Sequence, residues 1–166
     1  RRWLLAAVAA LVITAGAIAT VWIRAGVGSG RIQTIAVLPI QDISGKDSIF
    51  VTALQDGLIN ALLRDNLAGV ASRSAVMPYA HSTKTTREIA DGLHVGGVVE
   101  ATVFRAGDVM RINVQFTDPQ TTRALWSDTY ERNVSDVLAA QSDIVTRIAA
   151  GVDGVLAGTQ PTGGRK

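Results

Sequence analysis

Residues 98–131 read VVEATVFRAGDVMRINVQFTDPQTTRALWSDTYE, which divides into three apolar-rich segments separated by two turn sequences. In the middle segment Ile112, Val114 and Phe116 alternate with polar residues, which is typical of a strand buried on one face. The first turn contains Gly107, which tolerates a positive φ, and the second begins with Asp118 and a proline. These patterns predict three consecutive antiparallel strands, over 98–105, 109–117 and 124–131.

A different kind of strand is indicated upstream, where residues 34–40 read TIAVLPI. This near-continuous apolar run is rich in β-branched residues and is typical of a central strand buried on both faces. Pro39 has no N–H group, so it should lie at the end of the strand. The next predicted elements are a helix over 49–64 capped by Asp47 or Ser48, a short strand over 69–71 and an irregular segment over 73–83. A second helix opens with a capping box of Thr85 and Glu88 and ends near Gly96–Gly97, and a third begins after the cap Ser135 and runs to about Leu156.

The amino-terminal segment from Trp3 to Ile23 contains 21 residues without a charge. At about 1.5 Å per residue, a helix of this length spans roughly 30 Å, the thickness of the hydrocarbon core of a bilayer. A cleaved secretory signal and a buried core helix are the alternatives, but the segment is long for either. We therefore predict a single transmembrane helix, with its N-terminus in the cytoplasm because two arginines precede it and one follows directly.

The predicted fold class follows from the order of the elements after this helix, β-α-β-α-β-β-β-α. Consecutive elements usually pack as neighbours, and a strand–helix–strand step is right-handed. The prediction is an α/β (α+β) fold with one N-terminal transmembrane helix, followed by a mixed sheet of about five strands with three packed helices. The predicted boundaries are a transmembrane helix with basic flanks over 1–24, a linker over 25–31, the α/β domain over 32–157 and a flexible tail over 158–166.

Composition limits the classes of function. The chain of 166 residues has no cysteine, which excludes disulfides, thiol catalysis and cysteine-ligated metal sites. All 14 acidic residues lie between Asp42 and Asp153, and the basic residues of this region do not cluster. Nucleic-acid binding by the domain is therefore not expected. The chain begins with Arg1 rather than Met, so we expect either that a preceding segment has been removed or that the sequence is a fragment.

Few side chains suggest chemistry. His81 and His94 are 13 positions apart, whereas a metal-ligand pair on one helix needs a spacing of about four. Trp126 and Tyr130 share one face of the last strand and could line a ligand groove, but core packing is the simpler interpretation. Gly57, inside the first helix, costs about 1 kcal/mol relative to alanine and indicates either helix-on-sheet packing or the close approach of a partner.

One carboxylate is a further candidate for chemistry. Glu100 lies in a predicted strand and could act as a general base if it were buried. An exposed position, paired with Arg111 across the hairpin, is the interpretation we favour. No set of nucleophile, base and orienting group can be assembled from the spacing of the sequence. We therefore predict no catalytic, metal or cofactor-binding residues and no cofactor, and we assign no binding residues.

Several stretches resemble a family of bacterial extracytoplasmic domains related to the amino-terminal domain of TolB. The most specific are IAVLP at 35–39, DGL at 56–58, the hairpin turn RAGD at 105–108 and LWSDTYER at 125–132. The resemblance covers about residues 32–157 and implies helices on a mixed five-stranded sheet. It also implies a place behind a single transmembrane helix in bacterial inner-membrane regulators, with the domain in the periplasm, and it supplies no catalytic residue set.

The expected function is that of a membrane-anchored, extracytoplasmic sensory or scaffold domain that is not itself an enzyme. Its expected partners are membrane lipid, through Trp3 to Ile23, and proteins or peptides, with self-association left open. A second hypothesis makes the chain a fragment of a membrane-bound signalling enzyme, a Ser/Thr kinase or a nucleotide cyclase, or of a winged-helix transcriptional regulator. The output module would then lie upstream of Arg1.

Overall fold

A mixed sheet with helices on both faces makes up the part of the chain that the computed structural model describes, residues 32–133, 135 and 137–159. The strands are β1 (Thr34–Val37), β2 (Gln41–Asp42), β3 (Gly69–Val70), β4 (Gly97–Ala106), β5 (Val109–Asp118) and β6 (Arg123–Asn133). The helices are α1 (Ser48–Asp65), α2 (Arg73–Val76), α3 (Thr86–Leu93) and α4 (Val137–Leu156), and a 3₁₀ turn over Met77–Tyr79 follows α2.

The strand order is β3-β1-β4-β5-β6, with β2 also paired to β4. β1 is parallel to both of its neighbours, β3 and β4, whereas β4, β5 and β6 form an antiparallel meander. The meander confirms the three antiparallel strands predicted from the alternating sequence. Its first turn contains Gly107 at a φ of 61°, the left-handed conformation for which a glycine was expected. β1 is central and its last three residues are buried, as its apolar run predicted.

Helices cover one face of the sheet and only part of the other. The main core lies between the sheet and the helices α1 and α4, and its fully buried members include Leu54, Leu58, Phe116, Ile144 and Ile148. A smaller core joins Val76 of α2 and Ile89 of α3 to Ala36 and Val98 of the sheet. Beyond α3, this second face is open and exposes the side chains of Arg111, Asn113, Gln115, Ser127, Thr129 and Glu131.

Pro39 interrupts the first strand. Val37 pairs with Val99, and Gln41 pairs with Thr102. Three residues lie between Val37 and Gln41, whereas only two lie between their partners on β4. Because proline cannot donate a backbone hydrogen bond, the ladder breaks at this point and resumes as β2. The prediction that Pro39 ends the strand is confirmed for β1, but the continuation as β2 was not predicted.

The segment over 73–83, predicted to be irregular, begins with α2 and the 3₁₀ turn. The hydroxyl of Ser72 accepts a hydrogen bond from the backbone N–H of Ala75 and so caps α2. Pro78 lies in the first turn of the 3₁₀ helix, where its fixed φ is favourable. The capping box of Thr85 and Glu88 at the start of α3 is confirmed. That helix ends at Leu93, three residues earlier than predicted.

The structure therefore corrects the predicted fold class. The sheet has six strands, and four α-helices pack on it instead of three. The transmembrane helix predicted from Trp3 to Ile23 and the linker over 25–31 lie outside the described residues. Within those residues no helix is long and apolar enough to cross a bilayer. The two long helices, α1 and α4, each bury only one face. Charged side chains such as Asp56 and Asp143 lie outside that buried face.

Candidate functional site

A cleft of about 840 Å³ opens at the carboxyl end of β1. The chain leaves β1 for α1 on one face of the sheet, whereas it leaves β3 for α2 and α3 on the other face. Such a divergence beside the carboxyl ends of parallel strands opens a crevice in which α/β proteins commonly bind ligands. The volume is also within the range of small-molecule and peptide sites. The cleft is therefore the candidate functional site.

Gln55 of α1 is a polar residue at the floor of this cleft and is 3% exposed. Its Nε2 donates a hydrogen bond to the carbonyl oxygen of Val37 at 3.4 Å. That carbonyl belongs to the last residue of β1, next to the interruption caused by Pro39. Gln55 thus supports the main chain where the strand ladder breaks, and it brings an amide group into an otherwise apolar floor formed by residues such as Leu38 and Ile89.

Asp42 fixes one wall of the cleft, the loop between β2 and α1. Its carboxylate accepts hydrogen bonds from the backbone N–H groups of Ser44, Gly45 and Asp47, at 3.0, 2.9 and 2.6 Å, and from the hydroxyl of Ser44 at 2.7 Å. Desolvation raises the pKa of Asp42, but these hydrogen bonds together outweigh it and lower the pKa below its ordinary value. The hydrogen bonds to this carboxylate therefore stabilise the conformation of the loop.

The other charged groups on the cleft differ in the contacts that they make with neighbouring side chains. Glu100 accepts a hydrogen bond from Thr86 Oγ1 at 3.1 Å. Arg73 donates a hydrogen bond to Asp56 at 2.6 Å. Lys84 lies with its Nζ 5.7 Å from the centre of the Tyr79 ring, a cation–π contact, and forms no ion pair within the described part of the chain.

Exposed apolar side chains border the mouth of the cleft. Ile43 is 63% exposed and Met77 is 42% exposed, and both line the cleft. Single exposed apolar residues are common, but two on the lining of one concave site are typical of surfaces that bind another molecule.

The structure brings two of the residues considered in the sequence, His81 and Glu100, to this cleft. His94 lies elsewhere, as the exposed left-handed residue that ends α3, with a φ of 56°. Trp126 and Tyr130 are buried in the main core, as the simpler interpretation of these aromatic residues predicted.

The predicted pair of Glu100 and Arg111 is wrong. The hairpin turn joins Ala106 to Val109, and this sets Glu100 opposite Gln115. Arg111 pairs instead with Glu131 of β6. The predicted contact would need a different strand register, and the short turn fixes the register that is observed.

Gln55, Asp42, Arg73 and Lys84 were not singled out in the sequence. For Gln55 a signal was present, because a polar residue at this position falls on the otherwise apolar buried stripe of the helix. The other three are ordinary surface residue types, and only the folded chain brings them together. Within residues 32–133, 135 and 137–159, no group of three His, Cys, Asp or Glu residues could hold a metal ion.

A second, more open cavity of about 460 Å³ lies between α1 and α4 and is lined by Asp65 and Asp153. Asp65 is the last residue of α1, and Asp153 lies in the last turn of α4. Helix carboxyl ends disfavour negative charge. Burial, together with the contact and charge of Asp65, raises the pKa of Asp153 to about 6.

We expect this pair to make the domain less stable as the pH rises from about 4 to above 6. The folded-state pKa of Asp153, about 6, exceeds its ordinary value of 3.8. Folding therefore favours the protonated form, and the stabilisation is complete below the ordinary value and lost as the pH rises through the folded value. Solvent screening limits the expected change to about 1 kcal/mol. Urea unfolding of the wild type and of Asp153→Asn across this pH range checks it.

The asparagine variant should flatten the pH dependence and be more stable than the wild type at neutral pH. Asp143→Asn is the matched control on the same helix. Hydrogen bonds from Arg147 lower the pKa of Asp143, so this variant should lose stability at neutral pH. An unchanged pH profile for Asp153→Asn would contradict the role assigned to the acidic pair.

No protein-family profile matches the chain. Over 117 residues, 69% of the chain, the sequence is 31% identical to a protein of Rhizobium meliloti (strain 1021) that is named "Putative adenylate cyclase 3". The chain spans 20% of the length of that protein. This relative is therefore much longer than the chain, and the likeness concerns one part of it.

Solved structures with a similar fold include the following two. TolB from Acinetobacter baumannii matches with a TM-score of 0.56 and 16% identity, over 76% of this chain and 29% of TolB. A DUF330-family protein from Xanthomonas campestris matches with a TM-score of 0.50 and 11% identity, over 76% of this chain and 86% of that protein. At such low identity the likeness concerns the fold alone. The chain thus has the TolB-like fold that its sequence motifs predicted.

Proposed function

We propose that this domain is a non-catalytic binding module that recognises a protein or peptide partner through the cleft at the carboxyl end of β1. The observation that carries the proposal is the combination of a sizeable concave site with exposed apolar residues at its mouth, such as Ile43 and Met77. The cleft's carboxylates, Asp42 and Glu100, already accept hydrogen bonds from the protein. An arrangement of this kind favours recognition over catalysis.

We further propose that the module belongs to a larger signalling protein. The support is the 31% identity to a relative named as an adenylate cyclase, of which the chain spans only 20%. Among the output modules considered from the sequence, this observation favours a nucleotide cyclase. Production of cyclic nucleotide by cells that express the parent protein, with and without residues 32–159, tests this output. A parent protein whose coding sequence contains no cyclase module would remove it.

A location outside the cytoplasm is also part of the proposal, and its support is the resemblance to TolB-related domains. Reporters fused after Lys166 in the parent protein test it. Alkaline phosphatase activity without fluorescence from a cytoplasm-dependent reporter is the expected result. The opposite pattern would overturn the location without affecting the proposed binding cleft.

Site-specific photocrosslinking in living cells tests the binding function. A photoreactive amino acid is introduced at Met77, at Ile43 and, as a control, at Leu63, which is apolar and 50% exposed but does not line the cleft. We expect one discrete adduct from the two cleft positions and none from Leu63. No adduct at any position, or the same adduct at all three, would overturn the proposal.

A further inference from the structure

The outer edge of β1 and β2, the side that faces away from β4, is paired over only part of its length. β3 pairs with Thr34 and Ile35, and the N–H of Ala71 donates to the carbonyl oxygen of Ile35 at 2.8 Å. The next carbonyl on this edge, that of Val37, accepts its hydrogen bond from the side chain of Gln55. Beyond this point no strand within the described residues pairs with the outer edge.

β2 presents main-chain groups at the unpaired part of the outer edge. The N–H of Ile43 donates to the carbonyl oxygen of Val103 in β4 at 2.9 Å, so the main-chain groups of Ile43 and Gln41 point towards β4. Because this direction alternates from residue to residue, the N–H and carbonyl groups of Asp42 point away from β4. Ile40 makes no hydrogen bond to another main-chain group in the described part of the chain. Unpaired groups of this kind are a template for the addition of another strand.

The cleft follows the outer edge and has a wall on each face of the sheet. Residues 38–43, which form the edge, all line it. Val51 and Thr52 line it from α1, which packs in the main core, whereas Met77 and Tyr79 line it from the 3₁₀ turn beside the smaller core on the opposite face. Side chains from the two faces of a sheet share one cleft only where no strand separates them. The cleft therefore lies where the next strand of the sheet would lie.

The chemistry of the lining favours an uncharged extended peptide. The carboxylates of Asp42 and Glu100 offset the cations of Arg73 and Lys84, so the lining has no preference for either sign of charge. Apolar side chains come from the edge and from both walls, among them Ile43, Val51 and Met77. An extended peptide carries N–H and carbonyl groups along its edge and directs its side chains alternately to two opposite faces.

We propose that the cleft takes an extended, uncharged segment of the partner as an additional strand, whose main chain pairs with Ile40 and Asp42 on the outer edge of β2. This inference rests on the proposed binding function and specifies how the partner is bound. The side chains of the added strand face α1 and the 3₁₀ turn alternately. Because β2 is short, the new main-chain hydrogen bonds are few, and contacts with the two walls supply the rest of the affinity.

Short fluorescent peptides test the pairing with the full chain. The reference peptide alternates valine with threonine, a second carries an N-methyl group on every valine, and a third carries one on every residue. A strand bound by one edge uses only alternate N–H groups. In fluorescence anisotropy the second peptide should therefore bind within about threefold of the reference, and the third roughly tenfold more weakly. Glutamate or lysine in place of threonine should weaken binding to a similar extent.

Two variants of α1 assign the binding to the cleft. Thr52 and Asn60 are both exposed polar residues of this helix, but only Thr52 lines the cleft. Thr52→Trp places a large side chain in the path of the added strand and should weaken the reference peptide roughly tenfold. Asn60→Trp is the matched control and should leave the affinity unchanged. Circular dichroism shows whether each variant is folded.

Hydrogen exchange followed by NMR tests the pairing without any substitution. The N–H groups of Ile40 and Asp42 should exchange more slowly when the reference peptide is bound, because they then donate to the added strand. β6 forms the opposite edge of the sheet and serves as the internal control. Its exchange should not change.

The outcomes separate this inference from the function on which it rests. Four results would each overturn strand addition: no binding of the reference peptide, equal affinity of the reference and fully methylated peptides, equal effects of Thr52→Trp and Asn60→Trp, or protection in β6 instead of β2. Crosslinking at Met77 and Ile43 would still support the binding cleft in each case. Absence of both peptide binding and crosslinking would overturn the binding function itself.

Discussion

Replacing Gly151 by alanine should lower the free energy of unfolding by about 2 kcal/mol. A Cβ atom at this position in α4 would lie 2.5 Å from Cε2 of the Trp126 ring, well inside van der Waals contact. Trp126 is 9% exposed and its rigid ring cannot move aside without disturbing the main core. Overpacking of this kind costs about 3 kcal/mol, and the better helix propensity of alanine offsets about 1 kcal/mol of that.

A double-mutant cycle with Trp126→Leu checks the cause. Leucine removes the ring atoms that meet the new methyl group, so Gly151→Ala should be neutral or slightly stabilising in that background. Urea unfolding followed by far-ultraviolet circular dichroism gives the four free energies. Additive effects of the two substitutions would show that the contact between α4 and β6 does not require the glycine.

Phe116→Ala should have a larger effect, a loss of about 4 kcal/mol. Phe116 is fully buried and lies in the middle of the sheet, opposite Val99 of β4 and Trp126 of β6. Its ring also fills the space above Gly97, where a Cβ atom would come within 2.7 Å of it. Alanine therefore leaves a cavity bordered by three strands, and the rigid sheet limits how far the surroundings can close it.

The matched control for this substitution is Phe104→Ala in the same meander. Phe104 is 45% exposed on the open face, so its truncation should cost less than about 1 kcal/mol. Thermal and urea unfolding of both variants provide the comparison. Equal losses of unfolding free energy for the two variants would contradict the assignment of Phe116 to the core and of Phe104 to the open face.

The parts of the fold that the sequence predicted are those decided by local patterns. The meander follows from the alternation of Ile112, Val114 and Phe116 with polar residues in its middle strand and from Gly107 in its first turn. The start of α3 follows from a capping box confined to Thr85 and Glu88. β2 was missed because its two residues become a strand only through pairing with Thr102 and Val103, 61 positions away along the chain. No local pattern contains that information.

The candidate site was much less predictable than the fold, for the same physical reason. Its polar members come from β2, from α1, from the segment after β3 and from β4. Their proximity depends on the parallel pairing of β1 with β3 and β4 and of β2 with β4. Of these residues, only Gln55 could have been noticed in the sequence, as a polar residue on the buried stripe of a helix. The misplaced pair of Glu100 and Arg111 shows that facing partners on adjacent strands depend on the register fixed by the turn.

The central position of β1 also has a consequence for folding during synthesis on the ribosome. Ile35 pairs with Gly97, so the apolar strand is synthesised long before its main partner exists. At translation rates of about 5–20 residues per second, this interval lasts several seconds. Until β4 exists, this β-branched segment without charges can pair only with the two-residue strand β3, and an incompletely paired strand of this kind favours aggregation. We therefore expect nascent chains of this protein to bind a chaperone until β4 has emerged from the exit tunnel.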